Sequence, residues 1–214
     1  MTLAVHVVAA ALAAACPSYP SVPPATTQLI TVSAQRLHTT SATLRAWRRD
    51  GDCWQPVYGP FTARVGWNGL RANRHEGDGT TPIGTFPILP RMYGSAPNPG
   101  VAFHYLRLRC GDWWVEDPAS PSYNTFRRVG CGVRPPFKVT TPDMSKSRRA
   151  YEYLAVIGFN TRPVVPGRGS GIFLHVLVHS STNGCVSLPR GQLLRILRWL
   201  RPAPAPQIVI GVQP

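Results

Sequence analysis

The chain reads as a mostly β protein with one main helix near its C-terminal end, and three observations say so. Short alternating or β-branched runs recur, such as "QLITVSA" at 28–34, "TLRAWRR" at 43–49 and "QIVIGV" at 207–212. One segment only, with Leu193, Leu194, Ile196, Leu197 and Leu200, repeats at helical spacing. Strands and helices do not alternate along the chain, which argues against a doubly wound parallel sheet.

The 214 residues suit one domain with extensions, and 43% hydrophobic content is that of a globular chain. The formal charge is +14, from 23 Lys plus Arg against 9 Asp plus Glu. Such a surface attracts polyanions, and it is equally the solvated face of an arginine-rich protein. No recognition helix, zinc-finger spacing or basic tail points to nucleic acid, and none is expected as a partner.

Residues 1–15, "MTLAVHVVAAALAAA", are almost wholly apolar and end in small residues. They read as a signal peptide without the usual basic start, too short to span a membrane. Cys16 follows at once, as at a lipoprotein attachment site. Pro17, Pro20, Pro23 and Pro24 then stop any helix. Residues 16–27 read as a Pro/Ser/Thr-rich linker, and 28–214 as a single domain. Export predicts a secreted protein at the cell wall or in the periplasmic space, with a lipid anchor at Cys16 as one form of it. It also lets disulfides persist. Cys110 and Cys131 are one candidate pair, and Cys53 with an unlipidated Cys16 another, but spacing alone leaves the pairing open.

Within the domain, 28–34 is a strand. Residues 43–49 and the "CWQPVYGP" run form a hairpin about the Asp50-Gly51-Asp52 turn. Residues 61–67 are a further strand, 68–82 a polar, glycine-rich loop, and 83–88 a short strand among glycine and prolines. Residues 102–109 alternate. The runs 151–159 and 171–178 are aromatic and β-branched, as core strands are. The helix takes Ser187 as N-cap, carries Pro189 near its first turn and stops at Pro202. Residues 207–212 close the chain as a strand.

The chemistry concentrates in "GSGIFLHVLVHSSTNGCV", 169–186. Cys185 follows Gly184, where a tight turn exposes backbone N–H groups able to stabilise an oxyanion. A helix start just beyond would favour a thiolate. His175, ten residues upstream at the end of an apolar strand, is the candidate general base, with His179 as its rival. Alternatives stand beside this reading: Cys185 as half of a disulfide, His175 as a satisfied core residue. A metal site has less support, because Cys185, His175 and His179 lack a fourth ligand and a CxxC pair.

The same segment resembles the active-site motif of the L,D-transpeptidase family (YkuD-like, ErfK/YbiS type), bacterial cell-wall enzymes. The family pattern is a histidine, a variable stretch, then Ser/Thr-x-Gly-Cys and an apolar residue. Here that is His175, then Thr182-Asn183-Gly184-Cys185-Val186. Upstream, "GDGTTPIGTFPI" at 77–88 is similar to the family's G-x-T-P-x-G-x-F signature. "DWWVEDPASPSYNTF" and "IGFNTRPVVPGRGSGIFLH" resemble a secreted actinobacterial-type branch. The resemblance runs over roughly residues 61–211.

It implies a β-sandwich of mixed sheets with the helix after the catalytic cysteine. It implies Cys185 as nucleophile, His175 as base, and the Val176 carbonyl on the other ring nitrogen. Gly184 and Cys185 N–H groups, with Asn183, match the oxyanion site, and Thr182 positions the loop. Better-known members have His where Asn183 stands and often Arg where Ser187 stands; their His-to-Cys interval is also longer. Arg190 and Arg168 are candidates for the missing substrate-binding cation. The activity implied is acyl transfer between peptidoglycan stem peptides through a Cys thioester, needing no cofactor or metal. Carbapenem-type β-lactams are implied as covalent inhibitors, and anionic wall polymers suit the charge. The alternatives are an L,D-carboxypeptidase, with water resolving the thioester, and a non-catalytic wall-binding protein on the same fold.

Overall fold

The computed structural model describes residues 16–204 and 206–213. The signal-peptide reading of 1–15 lies outside the described residues. The strands are β1 Gln28–Ala34, β2 Ser41–Asp50, β3 Cys53–Arg64, β4 Leu70–Arg71, β5 Thr81–Pro82, β6 Gly84–Gly94, β7 His104–Arg107, β8 Asp112–Trp114, β9 Phe126–Arg128, β10 Leu154–Ile157, β11 Phe173–Val176, β12 Val186–Leu188 and β13 Gln207–Val212. A 3₁₀ turn, Met144–Ser147, and one α-helix, α1 Arg190–Trp199, complete them. The architecture is mostly β with one main helix, as expected.

The main sheet runs β10-β11-β12-β3-β2-β1-β13-β6-β7. It curls back on itself, because β6 pairs with β13 over its first residues and with β10 further along. Strand directions are mixed: β1 lies parallel to β13 and antiparallel to β2, while β11 lies parallel to β12. β1 is buried on nearly every residue, as a strand between two neighbours with both faces covered must be. β2 alternates, with Ala42, Leu44 and Ala46 inward.

Sequence and structure differ at several elements for physical reasons. Of the predicted strand at 61–67, residues 61–64 are the end of β3, which pairs with β2 through register shifts, while 65–67 leave the strand and Gly66 bridges Thr182. β6 runs on past 88 through Pro90 to Gly94, although a proline punctuates a strand in sequence because it cannot donate to a ladder. The 68–82 loop holds the two-residue β4 and β5, paired with each other. The helix begins later than expected. Ser187 is fully buried inside β12 and is not a cap; Pro189 holds the N-cap position, with no side-chain cap bond. α1 buries Leu193, Leu194, Ile196 and Leu197, and their cluster includes Leu174, Val176 and Leu188 of the two strands that carry the motif.

Residues 16–27 form no helix or strand, yet they are tied down. Cys16 is disulfide-bonded to Cys53, Val22 and Thr26 are buried, and Tyr19 packs against Trp47 and Trp54. Cys110 is bonded to Cys131. This bridge closes the base of the β8–β9 hairpin, whose wall faces the site described next. No described helix is long and apolar enough to cross a membrane.

Candidate active site

β11 and β12 bring the motif together. They run side by side with Leu174 opposite Val186 and His175 opposite Ser187. Side chains alternate along a strand, so Phe173 and His175 share a face with Cys185 and Ser187. His175 and Cys185 are therefore diagonal neighbours on one face of a parallel pair. The ten-residue interval holds the connection, residues 177–185, that carries the chain from β11 to its parallel neighbour β12.

Cys185 is the free cysteine of the described residues, and it is buried on the floor of a cleft of about 630 Å³. Its thiol donates to the Gly171 carbonyl at 3.3 Å and accepts from the Phe173 N–H at 3.3 Å. Burial pushes this thiol up to about 12, with Phe173 N–H working against the shift. His175 is buried too. Burial takes its ring down to about 4, against the pull of the Val176 and Ala150 carbonyls. Both members of the pair are thus neutral near pH 7. His175 Nδ1 lies 2.9 Å from the Val176 carbonyl oxygen. As that carbonyl only accepts, Nδ1 carries the proton and Nε2 keeps its lone pair. Tyr151 packs edge-on against the His175 ring at 5.7 Å, and the Val176 N–H bonds Ala150 O at 3.1 Å, which fixes the segment beside the ring.

The motif loop is held from below. Thr182 Oγ1 donates to the Cys185 carbonyl at 2.6 Å and accepts from the Gly184 N–H at 3.1 Å. Gly184 N–H is thus already engaged, which corrects its expected place as an oxyanion donor. Thr182 also pairs with the chain around Gly66: its N–H bonds Val65 O and its carbonyl accepts from Trp67 N. Thr81, from the upstream signature, donates to the same Cys185 carbonyl and accepts from Gly66 N–H. The two sequence motifs are thereby one structural unit. Gly184 has φ +127°, and a Cβ there would meet the Thr80 carbonyl at 2.8 Å, so only glycine fits.

Three further expectations are corrected. β12 stands between Cys185 and α1, so the thiol is not at a helix N-terminus. His179 is exposed and is not part of the cleft wall. Neither expected cation is in the cleft: exposed Arg190 is paired with Glu152 at 2.9 Å, and exposed Arg168 lies over the Phe159 ring. Asn183 is exposed at the cleft edge.

The cleft carries charges that sequence reading missed. Arg74, Glu76 and Glu116 line it beside Cys185. Glu76 accepts from Tyr123 Oη and, at 2.7 Å, from Ser170 Oγ. Burial, reinforced by the charge of Glu76, raises Glu116 to about 7. Positions 74, 116 and 170 lie far apart in sequence, and no spacing rule joins them. Among the described residues, no group of three or more His, Cys, Asp or Glu is placed to hold a metal.

The profile of the YkuD family, the L,D-transpeptidase catalytic domain, matches residues 28–210. The chain belongs to that family. No curated protein and no solved structure matches it. As an L,D-transpeptidase it is a cysteine-dependent acyltransferase of the bacterial cell wall, with peptidoglycan-related substrates. The L,D-transpeptidase signature residues are those that β11, β12 and the Thr81 loop bring to one place.

Proposed function

We propose that this chain is a secreted peptidoglycan L,D-transpeptidase of the actinobacterial-type branch, with Cys185 as nucleophile and His175 as base. The observation that carries the reading is the diagonal Cys185–His175 pair, with Cys185 on the floor of an open cleft and Nδ1 of His175 fixed by Val176 O. Sγ attacks the donor carbonyl at an L-to-D bond while its proton passes to His175 Nε2. The C–N bond breaks, the terminal D-amino acid takes that proton, and a thioester remains on Cys185. An amine of a second stem peptide attacks the thioester, its proton goes to His175, and the thiol recovers it. Since both groups rest neutral, attack and proton transfer are coupled, with no thiolate–imidazolium pair stored beforehand. Asn183 and the Cys185 N–H remain the candidate oxyanion donors, while Thr182 acts by shaping the loop.

Export follows from the sequence of residues 1–15 and is supported by the two disulfides. The Cys16–Cys53 bond favours a secreted form over one lipidated at Cys16. The +14 charge suits work against anionic wall polymers.

The test is intact mass of the mature protein with a carbapenem, followed by muropeptide products. The wild type is expected to gain one adduct and Cys185→Ala none; cross-linked products then follow. Hydrolysed stems alone would make it an L,D-carboxypeptidase. A free Cys185 thiol that acylates with neither carbapenem nor donor peptide, on a protein that still binds peptidoglycan, would overturn the enzyme reading in favour of a wall-binding module.

A further inference from the structure

Arg74 is the odd residue of the cleft. Its side chain is 2% exposed, and Nε and Nη1 are buried without a hydrogen-bond partner. The neighbouring carboxylate does not complete it. Asp78 Oδ1 lies 3.5 Å from Nε, but Asp78 already accepts from Thr80 N, Thr80 Oγ1 and His75 N. Those bonds outweigh burial and hold Asp78 below the usual carboxylate range. The guanidinium packs over the Phe159 ring at 5.6 Å, but a ring offers Nε and Nη1 no acceptor lone pair, and buried donors left without acceptors are costly.

Its placement is specific. Nη1 lies 2.5 Å from where a Cβ at Gly169 would project, and Nη2 lies 3.5 Å from one at Gly184. Both glycines have positive φ, so the chain clears a slot for the fork directly beside the nucleophile. His175 and Tyr151 stand at one end of the β11 face, and Arg74, Glu76 and Glu116 at the other, with Cys185 between them.

We propose that Arg74 is a specificity-determining anchor for a single carboxylate on the substrate residue bound against Cys185, a role that rests on the transpeptidase reading above. The planar fork matches a carboxylate through two parallel N–H···O bonds. Glu76 and Glu116 set the selectivity: they repel doubly charged or polymeric anions and accept a carboxylate only where Arg74 offsets them. Two sources share this chemistry, the C-terminal carboxylate of the leaving D-residue and a side-chain carboxylate on the acyl residue.

The first test needs no turnover. Cys185 is alkylated with iodoacetate or with neutral iodoacetamide, and the rate ratio is followed by intact mass. The thiol sulfur displaces iodide and its proton is lost to solvent. The ratio is expected to fall about tenfold or more in Arg74→Gln, and by less in Arg74→Lys; loss of the Arg74 charge also raises the Cys185 thiol, which slows both reagents alike and cancels in the ratio. An unchanged ratio overturns the proposal. Should Arg74→Gln misfold, the wild type alone decides: N-acetyl-D-alanine should protect Cys185 from iodoacetamide and its carboxamide should not, and equal protection, or none by either, overturns the proposal.

Donor peptides then separate the sources. Loss of Arg74 dependence on amidating the C-terminus assigns the leaving residue; loss on amidating the acyl side chain assigns the acyl residue. Turnover indifferent to both overturns the anchor and leaves the transpeptidase intact. Absence of turnover with any donor counts against the transpeptidase, while the alkylation ratio still judges Arg74.

Discussion

The two sides of Cys185 follow opposite electrostatic plans. At the His175 end the groups are neutral and held by backbone: Val176 O on Nδ1, Ala150 beside the ring, Tyr151 edge-on against it. At the other end stand a buried guanidinium and two carboxylates held by side chains from distant segments. The contrast teaches how the work divides. The geometry of the proposed pair rests on strand register: a slip of one residue between β11 and β12 would leave His175 and Cys185 on opposite faces. Charge recognition is fixed by loops, which can change without disturbing the pair.

The sharpest test of the division is its nucleophile. Cys185→Ala should abolish acylation and keep the thermal transition close to wild type, since the change removes one sulfur from a packed site. His175→Asn should come next, with the acylation rate down about 10²–10⁴-fold, read by single-turnover mass spectrometry. Equal acylation by His175→Asn would move the base elsewhere and break the comparison.

The same histidine should show in stability. Its folded pKa, about 4, lies below its ordinary value of 6.5, so the unfolded chain binds the proton more readily. The contribution is fully present above pH 6.5 and is lost as pH falls toward 4, by roughly 3 kcal/mol in all. Denaturant midpoints across that range should slope accordingly in wild type and lie flatter in His175→Asn.

At the charged end the effects are milder. Removing the Cys110–Cys131 bridge as a double serine variant should lower stability by about 3 kcal/mol. It should disturb Glu116 and its wall more than the His175 pair, so donor KM should rise more than kcat falls. The smallest effect belongs to Glu116→Gln. Above pH 7 the Glu116 carboxylate opposes ionisation of Cys185. The variant should therefore alkylate with iodoacetamide severalfold faster than wild type at pH 8 and equally at pH 6. A ratio independent of pH would remove Glu116 from the thiol's surroundings.

The same contrast governs what could be read in advance. β1 and β13 coincide with their sequence runs, because β-branched residues in unbroken order leave little choice. His175 and Cys185 were legible because a motif and a parallel strand pair supply both. β12 is not legible: three buried residues between a turn and a proline carry no period, and Ser187 before Pro189 reads as a cap. Nor is β6 beyond 88, where Pro90 interrupts the pattern inside a strand that nonetheless continues. Arg74, Glu76 and Glu116 escaped for a deeper reason. Sequence shows that a charged residue sits in a loop, but not which other loops it will meet.

The way the sheet closes bears on when the enzyme comes into being. β13, last of the described strands, lies between β1 and β6, and β6 in turn reaches β10. A chain made or threaded from its N-terminus presents every motif residue before it presents the strand that joins those two edges. Until then β1 and β6 have no common neighbour, and the face that aligns His175 with Cys185 belongs to an open sheet. The order of synthesis thereby places closure of the sheet by β13 after His175 and Cys185 have both emerged.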